Sequence, residues 1–458
     1  MPLPVALARL GTLLSLTNAV CSFGNDPYHM RHRVLLIAEA ANPEWVSVPL
    51  VGWSVASALR QVADVHIVTQ IRNRDAFLRQ GLIEGKDFTA IDSERVAAPL
   101  SRLGDKLRGG AGKGWTTLTA IRSLSYFYFE RLVWARFGEQ IAAGEFDIVH
   151  RVTPLSPTSP SSLSKKCAKV GVPFILGPLN GGLPWPKDFD AERRKEKEWL
   201  SYIRSIYKIL PGIGATYRHA SAIIAASRHT YSELVVRAPD KLIFIPENGI
   251  DNSKFHPAPR TRTEGQPIKL CYVGRLVPYK CPDVAIAGAA DLLRSGKATL
   301  DIVGDGPMMA ELRALVSRLE LDSAVTFHGW VDQSELAGRI GDRDYFLFPS
   351  VREFGGGAVL EAMAMGMVPI IADYGGPGEI VSADTGFKIP MGPKAEMTAA
   401  VTALLNRIVT DKVDVGAISE KGLQRVADLY TWPKKADQIV AVYDWVLGHA
   451  PTKPDFGF

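Results

Sequence analysis

A chain of 458 residues, 47% hydrophobic and 22% charged, has the length of two ordinary domains and enough apolar content to give each a core. A net charge of +5 at pH 7 suits a polyphosphate ligand or an anionic membrane surface, and it is too slight to be a nucleic-acid footprint. The four cysteines, Cys21, Cys167, Cys271 and Cys281, form no CxxC pair and join no histidine at metal-ligand spacing, so reduced thiols and a cytoplasmic location are the expectation.

Leu3 to Val20 is apolar with Arg9 near its start and imitates a secretory signal. It falls short of the roughly 18 consecutive apolar residues of a spanning helix. Met30 then opens Met-Arg-His-Arg-Val-Leu-Leu-Ile-Ala, the usual beginning of an α/β domain, so residues 1–29 read as an upstream extension. Val34 to Ala38 predicts a first strand, Glu39 to Val48 a loop, Leu50 to Gln61 a helix and Val65 to Thr69 a second strand. Ligands sit at the carboxyl ends of strands in such βαβ units. Trp45, in that loop, either packs in the core or lines a sugar site, whereas Trp53 is expected in the core. Arg108 to Gly114 invites a phosphate-loop reading but has glycine at the Ser/Thr position and no buried strand before it, which leaves a basic loop. Ala120 to Ala143 reads as a long amphipathic helix.

Phe146 to His150 predicts a strand ending in a histidine, followed by a proline-dense loop. A histidine at that end is placed for ligands, although a lone histidine is more often structural. Phe174 to Leu176 is a further strand feeding a loop in which Gly177, Asn180, Gly181 and Gly182 let backbone approach a ligand closely. Between Arg193 and Leu210, Trp199, Ile203, Ile206 and Leu210 recur at helical spacing beside basic residues. That helix either packs on its own domain or touches an anionic bilayer. Ala222 to Ala226 is another strand, and the polar, proline-rich stretch from His256 reads as a linker.

The second half restarts with a strand, Ile268 to Val273, and a turn holding Gly274, Arg275 and Lys280, whose cations can fold over a diphosphate. Thr299 to Val303 and Val325 to Val331 supply further strands and turns. Asp342-Arg343-Asp344 imitates a DxD metal motif but stands at a strand start, so no metal is assigned to it. Tyr345 to Phe348 is a buried strand, followed by Gly355, Gly356 and Gly357 at the mouth of a helix and then the strand Val368 to Ala372. A helix N-terminus without side chains to block approach is an anion site. Glu353 and Glu361 flank it. Ionised carboxylates accept hydrogen bonds, so hydroxyls of a sugar or ribose are their natural partners. A fully helical spacing would set them ~12 Å apart, beyond the roughly 5 Å of a retaining glycosidase pair.

The E-x7-E signature of Glu353 and Glu361 resembles glycosyltransferase family 4, the retaining nucleotide-sugar enzymes of the GT-B fold. Pro246-Glu-Asn-Gly-Ile-Asp251, Gly274-Arg-Leu with Lys280, and Gly304-Asp-Gly-Pro are similar to further segments of that family. Cys281 stands where the family has glycine, and Val152 replaces the second histidine of its His-x-His. The resemblance implies an α/β chain with two Rossmann-like, doubly wound domains facing a central cleft. Residues 30–255 would bind the acceptor, 256–266 link, 267–430 bind the donor, and 431–458 return as a helix to the first domain. Implied catalytic residues are Glu353, Arg275, Lys280 and His150. Implied donor contacts are Gly274, Asp305, Gly306, Trp330, Val331, Phe354, Gly355, Gly356, Gly357, Ala358, Val359, Leu360 and Glu361. Trp45, Asn180, Gly181 and Gly182 fall on the acceptor side. The implied activity is retaining transfer, without a cofactor or metal, from a nucleotide-diphosphate sugar to a saccharide or lipid-linked acceptor, with peripheral membrane contact and no nucleic acid. A GT-B epimerase and a non-catalytic sugar-nucleotide binder are the alternatives.

Overall fold

The structure is a computed structural model that describes residues 31–99, 115–190, 193, 212–257, 265–411 and 413–458. The amino-terminal extension, the basic glycine-rich stretch at 108–114, nearly all of the amphipathic stretch at 193–210 and residues 258–264 of the linker lie outside it. Valine-, leucine- and isoleucine-rich runs form seven strands: β1 (Arg33–Ala38), β2 (Asp64–Gln70), β3 (Phe88–Ile91), β4 (Ile148–Thr153), β5 (Phe174–Leu179), β6 (Ala222–Ala225) and β7 (Leu242–Phe244). They pair in parallel in the order β3-β2-β1-β4-β5-β6-β7. Such continuous apolar runs need cover on both faces of the sheet. Helix α1 (Val48–Val62) packs on one face. Helix α2 (Trp115–Ala142) packs on the other through Phe129, Val133, Phe137 and Ile141, whose four-residue spacing makes one stripe. Trp53 meets Phe77 edge to face at 4.9 Å between centroids, packing against the core.

A second parallel sheet has the order β10-β9-β8-β11-β12-β13, from β8 (Ile268–Val273), β9 (Ala298–Val303), β10 (Val325–Gly329), β11 (Tyr345–Phe348), β12 (Val368–Ala372) and β13 (Phe387–Ile389). Strand order reverses between β8 and β11. The turns leaving these two neighbours therefore open side by side at the carboxyl edge, where doubly wound sheets bind ligands. These are the turn of Gly274 to Lys280 and the turn of Pro349 to Gly356.

Two strands of chain join the lobes and lie against each other. Ile250 N–H donates to Tyr430 O at 2.7 Å, and Trp432 N–H donates to Ile250 O at 3.2 Å. Beyond that crossing, the last of the long helices, Trp432–Val446, lays Ala436, Ile439, Val442 and Tyr443 into the first domain's core beside Val34, Val55 and Leu59.

His150 corrects the sequence reading. Strand β4 runs on through Arg151 and Val152 to Thr153, so His150 is interior to it and wholly buried. Its Nε2 is 2.7 Å from Gly177 O and its Nδ1 is 2.7 Å from the Tyr443 hydroxyl. A carbonyl only accepts, so Nε2 carries the proton and Nδ1 accepts from Tyr443. Burial pushes its pKa down to about 4, against the Gly177 bond that raises it. No substrate reaches this ring. It is a pin between the sheet and the terminal helix, not a catalytic group. Because its folded pKa lies below its unfolded one, its stabilising contribution is present above about pH 6.5 and is lost as pH falls toward 4. Tyr443→Phe leaves a buried ring nitrogen without its donor and is expected to cost about 1–3 kcal/mol, read as a lower urea midpoint with unchanged slope.

Candidate functional site

The turn after β8 carries Lys280 inward. Its Nζ is 3.1 Å from Glu353 Oε2 and 5.3 Å from the centre of the Phe348 ring. A Cβ on Gly274 would come within 3.3 Å of the Phe348 ring and 3.6 Å of Nζ, so glycine there leaves the lysine its channel. Burial by itself lowers the Lys280 pKa, but Glu353 and then Tyr279 outweigh it and the ammonium is held above its usual value. The Arg275 side chain is exposed and makes no hydrogen bond or ion pair among the described residues, and its charge is felt at Lys280. Cys281, in the family's glycine position, keeps the left-handed backbone that glycine favours, with φ +50°.

The turn after β11 leads through Arg352 and Glu353 into the helix Gly357–Ala364. Glu353 precedes that helix, so the eight-residue spacing to Glu361 is not fully helical. Glu361, inside the helix, accepts from Gln333 Nε2 at 2.6 Å. Burial pushes its pKa up to about 7; Gln333 and Lys280 draw it down and Glu353 pushes it further up. Gly356 has φ +63°, and a Cβ there would lie 2.6 Å from Ile380 Cδ1. At Gly355 a Cβ would lie 2.2 Å from Asn248 Nδ2 and 2.5 Å from Glu247 Oε1. The glycine turn is thus the surface against which the first domain's Glu247-Asn248 segment closes. The first amides of the helix have no intrahelical acceptor and face this junction with the positive end of the helix dipole.

The turns after β8 and β9 press together. A Cβ at Gly306 would sit 2.4 Å from Leu276 O, and Asp305 Oδ1 accepts from Gly306 N–H at 2.7 Å. Trp330 is 74% exposed at the end of β10, and Val331 beside it is half-buried. Two implied donor contacts need correction. Val359 and Leu360 are wholly buried because the first turn of an amphipathic helix packs its apolar side chains on the sheet, so only their backbone can serve. Phe354 lays its ring against Arg352, whose guanidinium is 5.1 Å from it and 4.7 Å from the Trp185 ring. Ala358 adds a partly buried methyl in that first turn.

On the first domain, the loop with Gly181 and Gly182 reaches the other lobe. Tyr374 OH donates to Pro184 O at 2.8 Å, and Leu183 fills the space beside Gly375. Asn180 is 9% exposed and draws down the neighbouring Glu247. Trp45 is 43% exposed in the loop after β1. Asp342 and Asp344 are occupied otherwise: Asp342 pairs with Lys269 at 2.8 Å, and Asp344 accepts the Lys269 N–H at 2.9 Å.

Two carboxyls in the junction were given no role from the sequence. Glu247 is half-buried with Oε2 lacking a hydrogen bond; burial, then Glu353 and Glu379, push its pKa up to about 7 against the pull of Asn180. Glu379 accepts the backbone N–H of Arg228 at 2.9 and 3.0 Å, across the domains, and burial raises its pKa. The only signal was an acid within Pro-Glu-Asn-Gly and another closing Gly-Gly-Pro-Gly-Glu, patterns that show their meaning once the lobes meet.

Residues 257–412 match the family model described as glycosyl transferases group 1. The chain is similar to group 1 glycosyl transferases over its second lobe. Over more of the chain, it is 26% identical across 332 residues to a D-inositol 3-phosphate glycosyltransferase of Arthrobacter, covering 67% of this chain and 75% of that one. It is 29% identical across 201 residues to a GDP-mannose-dependent phosphatidylinositol dimannoside mannosyltransferase of Mycobacterium tuberculosis, covering 42% and 50%. A 2-deoxystreptamine glucosyltransferase of Streptomyces kanamyceticus matches at 27% over 50% of this chain and 62% of its own, so both it and the mannosyltransferase are spanned over less than two thirds of their lengths. Among solved structures, HepE of Anabaena in complex with UDP superposes with a TM-score of 0.57 at 15% identity over 89% of this chain and 98% of its own. WaaG, a glycosyltransferase involved in lipopolysaccharide biosynthesis, gives 0.53 at 17% identity over 89% and 99%. The fold is GT-B.

The raised carboxyl of Glu361 has a stability consequence. A folded pKa above the unfolded one means that stability falls as pH rises from about 4.5 to about 7. Glu361→Gln keeps an acceptor for Gln333 and removes that loss. The variant is expected to melt higher than the parent at about pH 8 and level with it near pH 4.5, in thermal scans across that range.

Proposed function

We propose that this chain is a glycosyltransferase that moves a sugar from a nucleoside diphosphate sugar to a saccharide or lipid-linked acceptor. The observation that carries the reading is the Lys280–Glu353 pair, 3.1 Å apart beside the glycine turn, in the lobe that matches the group 1 family. Lys280, the exposed Arg275 and the helix start at Gly357 supply positive charge for a diphosphate without a metal, and preorganised charge of this kind stabilises a leaving group as it departs. Glu361 is positioned to accept from ribose hydroxyls and Glu353 from those of the sugar. The relatives include a GDP-mannose-dependent mannosyltransferase, and HepE is solved with UDP; uridine and guanosine donors are therefore the ones to try. The family resemblance supports transfer with retention of configuration. The acceptor belongs on the first lobe, where Asn180 and Trp45 line its carboxyl edge. No described helix is long and apolar enough to cross a membrane.

Incubation with a panel of UDP- and GDP-sugars, with and without a lipid extract, is expected to give acceptor-dependent release of nucleoside diphosphate. Arg275→Ala and Lys280→Ala are each expected to lower transfer at least about tenfold, since a charged contact contributes roughly 1.5–3 kcal/mol, while circular dichroism stays that of the parent. Wild-type turnover in both variants would overturn the assignment. Donor conversion without acceptor would mark an epimerase.

A further inference from the structure

On the side of the first domain away from the cleft, three chemistry-bearing residues converge that the transfer reading does not use. His32 precedes β1 at the amino edge of the sheet, Asp444 lies in the last turn of the terminal helix, and His449 follows that helix. His32 Nε2 is 2.8 Å from Asp444 Oδ1, and His449 Nδ1 is 3.7 Å from the same oxygen. The two imidazoles stack with centroids 5.7 Å apart and planes 18° from parallel. One ligand atom from each residue falls within 4.8 Å of the others. We propose that His32, Asp444 and His449 form a zinc-class divalent metal site that fastens the terminal helix to the start of β1.

Metal–nitrogen and metal–oxygen bonds of about 2.0–2.2 Å place tetrahedral neighbours roughly 3.3–3.5 Å apart, and the separations of 2.8 and 3.7 Å bracket that edge. The His32 side chain is 10% exposed, so its ring is fixed, and the His449 side chain is 62% exposed, so its ring has room to turn the remaining distance. Two imidazole nitrogens and one carboxylate suit zinc and similar transition ions, whereas magnesium prefers oxygen alone. Water would take the fourth position. Binding needs both rings neutral, with His32 Nε2 deprotonated and its proton on Nδ1. The consequence is mechanical: residues at opposite ends of the described chain would be clamped by one ion.

The test is isothermal titration of zinc sulfate into the full chain after EDTA treatment and dialysis, with thermal scans alongside. The parent is expected to take up one more zinc per chain than His449→Ala, to melt several degrees higher with zinc, and to respond to magnesium with neither. Asp444→Asn, which keeps an oxygen to accept from His32, is expected to fold and to weaken binding at least tenfold. Zinc uptake and a melting shift equal in the parent and in both variants would overturn the proposal, as would no uptake by the parent near pH 7.5.

Discussion

The contact on which the site depends is the ion pair between Lys280 and Glu353. Its partners come from separate turns, one after β8 and one after β11, and only the reversal of strand order makes those turns neighbours. Removing both charges from water is costly unless geometry and further partners compensate. Here the Phe348 ring face and the Glu353 carboxylate supply that surrounding, and the ammonium stays charged. An anion at the glycine turn would meet a cation already in place, with the exposed Arg275 side chain able to add a second.

Around this pair the junction gathers carboxyls. Glu361 and Glu247 are both pushed up to about 7, each by burial first and each pushed further by Glu353. Such groups are costly to keep ionised in an otherwise folded protein, and raised acids of this kind concentrate where ligands bind. The first lobe takes part directly. Its Glu247 and Asn248 rest where a side chain at position 355 would be, and its Arg228 amide binds Glu379. Any change in the angle between the lobes must therefore move acids relative to the glycine turn.

Much of this could be read from residue order. The apolar run Tyr345 to Phe348, the three glycines and the apolar helix behind them are local features, and local features carry their own geometry. Arg275 and Lys280 were legible as cations beside the glycine turn because they follow a strand and a glycine directly. What failed were inferences that needed the third dimension. Nothing near His150 indicates that its strand continues past it or that Tyr443 will bond to it. Val359 and Leu360 belong to the right segment but face the core. Glu247 and Glu379 are ordinary acids until two domains meet. Cys281 shows the reverse: its residue type departs from the family pattern while the backbone holds the glycine conformation.

The most direct measurement is a crystal structure of the chain grown with UDP or GDP. The β-phosphate is expected against the start of the helix at Gly357, with Lys280 Nζ and the Arg275 guanidinium both within about 3.2 Å of phosphate oxygens and Glu361 accepting from the ribose. A diphosphate bound elsewhere, or bound at the glycine turn with both cations turned away, would contradict this placement.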